Sequence, residues 1–247
     1  MTASSHQGKT VLITGSEGYI GQALVKSFVE RGDHVIRVDL SRTSKANDEL
    51  GQASTTFYEV DLAKEKDIEK LWKEGLPKKH PRIDVLINNA ASGGFRGPFH
   101  EQDPATFDTI YQINIKAAFL MMQEAIMHMT PNKSGYIINI ASTAGITPFP
   151  TTAIYSASKA ALISLTKSAA IEYAGNGLVI NSISPGALER PNVKGWTEEE
   201  LNNMPSRTYQ KRSCRPEEVA GIALFLSSEA AGHIIGHNLV VDGGTTV

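Results

Sequence analysis

The stretch Lys9-Thr-Val-Leu-Ile-Thr-Gly-Ser-Glu-Gly-Tyr-Ile-Gly21 decides how this chain begins to fold. Its first six residues are mostly apolar and β-branched, which predicts a short strand that stops at Gly15. From Tyr19 to Glu30 apolar residues recur at helical spacing, which predicts a helix directly after the strand. The glycines at 15, 18 and 21 permit a tight turn, close approach of the backbone to a diphosphate, and close packing of the helix on the strand.

The position of this glycine triplet predicts dinucleotide binding, although such a triplet alone also occurs in ordinary strand–helix turns. A second strand is predicted over His34–Asp39, and Asp39 lies eighteen residues after Gly21. An acidic side chain there would accept a hydrogen bond from a ribose 2′-hydroxyl and repel a 2′-phosphate. Glu17 lies inside the glycine loop, where a cation would suit a 2′-phosphate, and Arg42 is the one nearby basic residue that could argue for NADP(H). We therefore expect NAD (NAD+/NADH) as the cofactor, with NADP as the less favoured alternative.

Predicted strands and helices alternate along the rest of the chain. The further strands are Thr56–Val60, Ile83–Asn88, Gly135–Ala141, Leu178–Ser184 and Asn238–Val241, and the further helices are Glu65–Glu74, Pro104–Met129, Ala153–Ala174 and Pro216–Ser228. Strict alternation predicts an α/β fold, a single-domain doubly wound parallel sheet (Rossmann-like) with helices on both faces. One domain over residues 1–247 is expected, with an irregular substrate lid at about 187–215.

The composition excludes several classes of function. A chain of 247 residues with 41% hydrophobic and 20% charged residues is ordinary for a globular protein, and its net charge of −2 offers no basic field for nucleic acid or anionic membrane. Cys214 is the only cysteine, so an intrachain disulfide is impossible. We find neither a signal peptide nor an apolar run of about 20 residues, and we expect a cytoplasmic protein. The seven histidines are scattered and no cysteine pair exists, so no metal site is predicted.

A tyrosine and a lysine at the start of the long predicted helix Ala153–Ala174 are the candidate reaction centre. In Tyr155-Ser-Ala-Ser-Lys159 the two residues share one helix face. A lysine ammonium near a phenol lowers the pKa of the phenol from about 10, which suits a general acid/base, although such a pair also arises by chance on exposed helices. Ser142 ends a strand thirteen residues earlier, and ligands bind at the carboxyl ends of strands in open α/β sheets. Its hydroxyl is therefore placed to hold a substrate oxygen beside Tyr155.

Three asparagines accompany this pair. Asn88 and Asn89 end a strand at the same predicted edge of the sheet. Asn114 is a polar residue within an apolar helix, a position that is as typical of a satisfied core amide as of a functional residue.

In their order along the chain, these motifs resemble the compact branch of the short-chain dehydrogenase/reductase family over nearly the whole length. The motifs that carry the resemblance are Thr14–Gly21, Asp61, Asn88-Asn-Ala90, Asn114, Ser142, Tyr155-x-x-x-Lys159, Pro185-Gly186 and Val241-Asp-Gly-Gly244. The resemblance implies that Tyr155 donates and accepts the proton and that Ser142 polarises the substrate oxygen. It also implies that Lys159 binds the nicotinamide ribose and lowers the pKa of Tyr155, and that Asn114 holds a water for proton relay.

The resemblance also implies where the cofactor binds. Asp61 is expected at the adenine edge, Asn88 and Ala90 on the adenosine ribose side, and Pro185, Gly186 and Leu188 at the nicotinamide. The full predicted cofactor set is Gly15, Ser16, Glu17, Gly18, Tyr19, Ile20, Asp39, Leu40, Asp61, Leu62, Asn89, Ala90, Ala91, Tyr155, Lys159, Pro185, Gly186 and Leu188.

Two residues depart from the family pattern. Tyr19 stands where the compact branch has a glycine, which puts the grip on the diphosphate in doubt locally. Arg190 stands where the family often has threonine, which puts one contact to the carboxamide in doubt.

The predicted reaction is hydride transfer between NAD(H) and a secondary alcohol or ketone, with a polyol or sugar acid as the candidate substrate. One alternative is a 3-oxoacyl-thioester reductase, and another is a non-catalytic NAD(H)-binding regulatory protein. The predicted substrate residues are Ser92, Phe95, Arg96, Phe149, Arg190 and Trp196. The resemblance also implies a homodimer or homotetramer, and the helix face with Ile115, Phe119, Met122 and Ile126 is expected to serve as its interface, as intrachain core or as both.

Overall fold

Seven parallel strands form one sheet in the order β3-β2-β1-β4-β5-β6-β7. The computed structural model describes residues 8–43, 54–93, 96–189, 197, 199 and 208–247. The strands are β1 (Thr10–Thr14), β2 (His34–Asp39), β3 (Thr55–Glu59), β4 (Val85–Asn88), β5 (Gly135–Ile140), β6 (Leu178–Pro185) and β7 (Asn238–Val241). The chain runs outward from β1 to β3 and then returns to add β4 on the other side of β1. This reversal produces a crevice at the carboxyl ends of β1 and β4, where doubly wound sheets bind their ligands.

Within the described residues, five long helical segments cover the two faces of the sheet. They are α1 (Tyr19–Glu30), α2 (Glu65–Lys70, Leu71–Gly75 and Leu76–Lys79), α3 (Pro104–Tyr111, Gln112–Ala117 and Ala118–Met129), α4 (Ala153–Tyr173) and α5 (Pro216–Leu226). The middle segments of α2 and α3 are π-type turns, which the apolar periodicity did not predict. A π-type turn adds a residue to one helical turn, and such turns are frequent at functional sites.

Alternate strand residues enter two separate cores, because successive side chains of a strand point to opposite faces. One core joins Leu12 and Ile36 to Trp72 of α2 and Met121 of α3. The other joins the neighbouring strand positions, such as Val11, to α1 and α5. Both faces of the sheet are therefore covered, as the near-continuous apolar strands predicted, and the architecture is the expected Rossmann-like one.

The observed elements begin and end within a few residues of the predicted ones. Among the described residues, none of the helices combines the length and the apolar character that a membrane span requires.

Candidate active site

A cleft of about 530 Å³ opens at the carboxyl ends of β1, β2 and β4. Its lining includes most of the residues predicted to bind the cofactor: Gly15, Glu17, Gly18, Tyr19, Ile20, Asp39, Leu40, Asp61, Leu62, Asn89, Ala90, Ala91 and Leu188. Val60, Ala63 and Ile113 also line it and were not predicted. Val60 and Ala63 flank the predicted Asp61–Leu62 pair, so the sequence carried a signal for them. Ile113 lies in the π-type turn of α3, which periodicity could not place.

The glycine loop brings backbone directly to the floor of this cleft. Gly15 has a φ of +64°, and a Cβ there would lie 2.7 Å from the Cα of Ala90, so only glycine fits the turn. The loop leads into α1, whose N-cap residue Gly18 makes no side-chain capping hydrogen bond. A helix N-terminus without a capping side chain offers its first N–H groups to an anion. These features fit the diphosphate of a dinucleotide. Ser16 belongs to the same loop but is fully buried and does not line the cleft.

Asp39 is held at the adenosine end of the cleft by the backbone. The N–H of Glu17 donates to its Oδ2 at 2.8 Å, and the N–H of Leu40 donates to its Oδ1 at 2.8 Å. The carboxylate is therefore fixed at the end of β2, where the sequence predicted contact with a ribose 2′-hydroxyl. Asp61, at the other side, accepts from the N–H of Ala63 and lies 3.0 Å from Lys64 Nζ. These contacts lower the pKa of Asp61, most strongly through the hydrogen bond from Lys64.

The asparagine pair after β4 divides into a core residue and a cleft residue. Asn88 is buried and donates to Asn139 Oδ1 at 2.9 Å, so it lies beneath the cleft and not on the expected ribose side. Asn89 lines the cleft, and its amide donates to the carbonyls of Thr14 and Gly15 at 3.0 and 2.8 Å. The alternation of side chains along the strand explains the difference. Asn89 thus ties the glycine loop to the end of β4.

At the reaction end, Lys159 is buried within the first turns of α4. Its Nζ donates to the carbonyl of Ile140, the last residue of β5, at 2.8 Å, and lies 5.8 Å from the centre of the Tyr155 ring. Burial lowers the pKa of Lys159 to about 8. Tyr155 itself is half-buried, so the phenol remains accessible while the lysine beneath it is shielded from water.

Ser142 is brought to the same place by a close contact between a loop and α4. It follows β5, and its Oγ accepts from the N–H of Ala144 at 3.1 Å, which shapes the short turn Thr143–Gly145. A Cβ on Gly145 would lie 2.7 Å from the backbone N of Ala160, so this turn packs directly on the backbone of α4. The sequence reasoning missed Gly145, because the contact joins segments that only the fold brings together.

Asn114 connects the reaction end to the loop after β4. Its Oδ1 accepts from the N–H of Ser92 at 2.7 Å, and its Nδ2 donates to the Ser92 carbonyl and to Ser158 Oγ, both at 3.0 Å. Ser158 Oγ in turn donates to the carbonyl of Tyr155 at 2.7 Å. Both hydrogens of Nδ2 are therefore used within the protein. Asn114 is at once a satisfied core amide and a direct link to the helix turn that carries Tyr155.

The predicted substrate residues are only partly described. Phe95, Arg190 and Trp196 lie outside the described residues, as does most of the predicted lid. Ser92, Arg96 and Phe149 are half-buried. Pro185 ends β6 and Gly186 follows it, and the N–H of Gly186 donates to the carbonyl of Val241 at 2.9 Å.

The two described ends of the predicted lid are joined by two backbone hydrogen bonds. The N–H of Cys214 donates to the carbonyl of Ala187 at 2.7 Å, and the N–H of Glu189 donates to the carbonyl of Cys214 at 2.8 Å. Burial raises the pKa of the Cys214 thiol to about 11, so this thiol stays protonated near neutral pH. Among the residues that the structure covers, no group of three or more His, Cys, Asp or Glu side chains is arranged to hold a metal ion.

Comparison with known proteins finds relatives of this chain. A statistical model of the family described as enoyl-(acyl carrier protein) reductase matches residues 16–246. An NAD-dependent glycerol dehydrogenase of Listeria innocua is 34% identical over 242 residues, which cover 97% of this chain and 94% of that protein. Two proteins of solved structure each have 30% sequence identity to this chain. The 3-ketoacyl-(acyl-carrier-protein) reductase of Brucella melitensis complexed with NADH has a TM-score of 0.90 and covers 98% of this chain and 99% of its own. ElxO with NADP bound has a TM-score of 0.87, and the match covers 97% of this chain and 99% of ElxO.

Proposed function

The chain belongs to the short-chain dehydrogenase/reductase family and is an NAD(P)-dependent oxidoreductase that acts on CH–OH or keto groups, and on this premise we propose that it interconverts a secondary alcohol and a ketone with NAD(H). The observation that carries the proposal is the placement of Tyr155 above the buried Lys159, with Ser142 beside the same turn of α4, next to a cleft shaped for a dinucleotide.

The protein residues move the proton in this proposal. When bound, the nicotinamide supplies or takes the hydride. In the reductive direction Tyr155 donates its hydroxyl proton to the substrate oxygen and becomes a phenolate, while Ser142 donates a hydrogen bond to that oxygen. The ammonium of Lys159 stabilises the phenolate, and a proton from solvent then restores the phenol. Oxidation follows the same steps in reverse.

The position of Asn114 adds a positioning role to the relay role that the family resemblance implied. Its amide hydrogens are engaged by Ser92 and Ser158, whereas its Oδ1 keeps a second lone pair that could accept from a relay water. We infer that it fixes the start of α4 and the loop after β4 relative to each other. Lys159 remains the residue expected to hold the nicotinamide ribose.

NAD(H) is the proposed cofactor because Asp39 stands at the adenosine end of the cleft. Its carboxylate is held by two backbone N–H groups and would accept from a ribose 2′-hydroxyl while repelling a 2′-phosphate. The related glycerol dehydrogenase is NAD-dependent and the related 3-ketoacyl-(acyl-carrier-protein) reductase was solved with NADH. ElxO, which was solved with NADP, shows that the same fold also accepts the 2′-phosphate.

The proposed substrate is a small polyol or sugar acid. The relationship to glycerol dehydrogenase supports a polyol, and Arg96, half-buried in the loop after β4, would suit a carboxylate. A 3-oxoacyl thioester is the second candidate, which the relationship to 3-ketoacyl-(acyl-carrier-protein) reductase supports. A non-catalytic NAD(H)-binding role is a weaker proposal, since Ser142, Tyr155 and Lys159 are all present.

A substrate panel tests these proposals directly. Absorbance at 340 nm is followed with NAD+ and glycerol, xylitol or gluconate, and with NADH and acetoacetyl-coenzyme A. Turnover of the polyols or the acid supports the first candidate, and turnover of the thioester alone replaces it by the second. Tight binding of NADH without turnover of any alcohol or ketone would favour the non-catalytic role.

We also propose that the chain forms a homodimer or homotetramer. Met122 and Ile126, which were predicted for a possible interface, are buried in the core of the single chain. Phe119, on the same helix, is 41% exposed and stays available to a second copy. A sedimentation mass equal to the 26.7 kDa of one chain at micromolar concentration would contradict this assembly.

A further inference from the structure

The π-type turn in the middle of α3 contacts the adenosine end of the cleft through two of its side chains. The Nε2 of Gln112 donates to the carbonyl of Ala63 at 3.1 Å. Lys116 forms an ion pair with Glu65, the first residue of α2. Residues four apart on a helix lie on one side of it, so both side chains hold the segment 61–65, which follows β3, against α3.

The opposite side of the same turn contacts the reaction end. Asn114 lies midway in sequence between those two side chains and faces away from them, since residues two apart on a helix do not share a face. Asn114 is 1% exposed and is hydrogen-bonded to Ser92 and Ser158, and Ser158 Oγ donates to the carbonyl of Tyr155. Between the two sides, Ile113 lines the cleft itself. One helical turn therefore joins the segment 61–65 to the start of α4.

The contacts on the two sides of this turn differ in burial. Those of Asn114 are buried or partly buried, whereas Gln112 is half-buried and Lys116 is exposed. Exposed hydrogen bonds and ion pairs contribute little to the free energy of unfolding. The effect expected of Gln112 and Lys116 is therefore on position. They set the spacing between the segment 61–65 and Ile113, which both border the cleft.

We propose that Gln112 and Lys116 are positioning residues through which a nucleotide bound at the adenosine end orders the turn of α4 that carries Tyr155. The inference rests on the proposed function, because it takes Tyr155 as the proton donor. A nucleotide that contacts both the segment 61–65 and Ile113 fixes them relative to each other. Asn114 follows Ile113 directly, so its hydrogen bonds extend this constraint to the start of α4. The proton donor is then fully ordered only when the cofactor is bound.

AMP is the probe for the test, because it carries adenosine and one phosphate but lacks the nicotinamide half. Its dissociation constant is measured by titration calorimetry, and amide hydrogen exchange is followed by mass spectrometry with saturating AMP and without it. In the wild type, AMP should slow exchange in residues 153–158 about threefold, which corresponds to a fraction of the free energy of one hydrogen bond. In the double variant Gln112→Met/Lys116→Met, AMP should still slow exchange in residues 61–65 but leave residues 153–158 unchanged.

The ratio of the exchange rates with and without AMP separates positioning from a purely structural role. A structural role would change exchange in residues 153–158 equally in both conditions and leave the ratio as it is. Lys116→Arg keeps the ion pair and should keep the wild-type ratio. Gln123→Met, at an exposed glutamine further along α3, is the matched control and should also keep it. If the double variant does not fold, the single variants Gln112→Glu and Lys116→Gln should each lower the ratio and so decide the question.

Two results would overturn the inference. One is that AMP binds the wild type without slowing exchange in residues 153–158. The other is that the variants at Gln112 and Lys116 show the same slowing as the wild type. A wild type that binds neither AMP nor NADH would instead refute the proposed cofactor function itself.

Discussion

Asp39 and Lys159, one in each half of the sheet, lie in opposite environments. In the adenosine half, β1 to β3 with α1, the carboxylate of Asp39 lies in the cleft and accepts from backbone N–H groups. In the reaction half, β4 to β6 with α3 and α4, Lys159 is buried and donates to the carbonyl of Ile140. A solvated carboxylate remains ionised at little cost in free energy, whereas a buried ammonium loses its hydration, which lowers its pKa. The difference fits the proposed roles, in which the first half selects the nucleotide and the second half moves the proton.

Removing the phenol at the reaction end should have the largest effect. Tyr155→Phe should lower kcat by about 10²–10⁴ and leave NADH binding nearly unchanged, because only the proton donor is lost. Steady-state rates and NADH fluorescence titration measure the two effects. Tyr173→Phe, at the far end of α4, is the control and should retain full activity. Retention of more than about a tenth of the activity in Tyr155→Phe would remove this residue from its proposed role.

Lys159→Met should impair both the catalytic rate and the binding of NADH. We expect a rate about a hundredfold lower and weaker NADH binding, because the lysine is proposed to stabilise the phenolate and to hold the ribose. Lys167→Met, an exposed lysine on the same helix, is the matched control. A variant that lost rate but bound NADH normally would show that Lys159 has no part in binding.

Burial of Lys159 should make stability depend on pH in a defined direction. The folded pKa is lowered to about 8 from an ordinary 10.5, so between these values the unfolded chain binds more protons and the free energy of unfolding rises with pH. The penalty for burying the ammonium is fully present below pH 8. Relative to Lys159→Met, wild type should gain about 2 kcal/mol between pH 7 and 9.5 in urea unfolding. A constant difference between the two proteins across this range would show that the lysine is not desolvated.

The contact that positions Ser142 should be sensitive to a single methyl group. Gly145→Ala places a Cβ 2.7 Å from the backbone of α4 and should lower the free energy of unfolding by about 1–3 kcal/mol. Gly221→Ala is the contrasting variant, because a Cβ at this helical glycine meets nothing within 4 Å. It should stabilise by about 0.5–1 kcal/mol. Equal effects of the two changes in urea unfolding would contradict the close packing at Gly145.

The adenosine half is tested by cofactor choice. Wild type should have a kcat/KM at least about tenfold higher with NAD(H) than with NADP(H), because Asp39 repels the 2′-phosphate. Equal or reversed efficiencies in parallel assays would mean that Arg42 outweighs the carboxylates.

The sequence alone was sufficient for the fold and for most of the cleft lining in the adenosine half. Strand–helix alternation gave the doubly wound sheet, and the residues from Gly15 to Asp39 lie within one βαβ unit, where spacing fixes geometry. The family resemblance added Asp61 and Leu62, which both line the cleft. It failed at Asn88, because neighbouring strand residues face opposite sides and the pattern did not show which of the two asparagines faces the ligand.

The tertiary structure alone decided how the reaction half is assembled. Asn114 lies in the π-type turn of α3. Its hydrogen bonds to Ser92 and Ser158, and the contact of Gly145 with α4, join segments that are distant in sequence. The burial that lowers the pKa of Lys159 likewise depends on everything packed around it. Local spacing determines which residues share a face of one element, whereas desolvation and close backbone contact depend on how separate elements pack together.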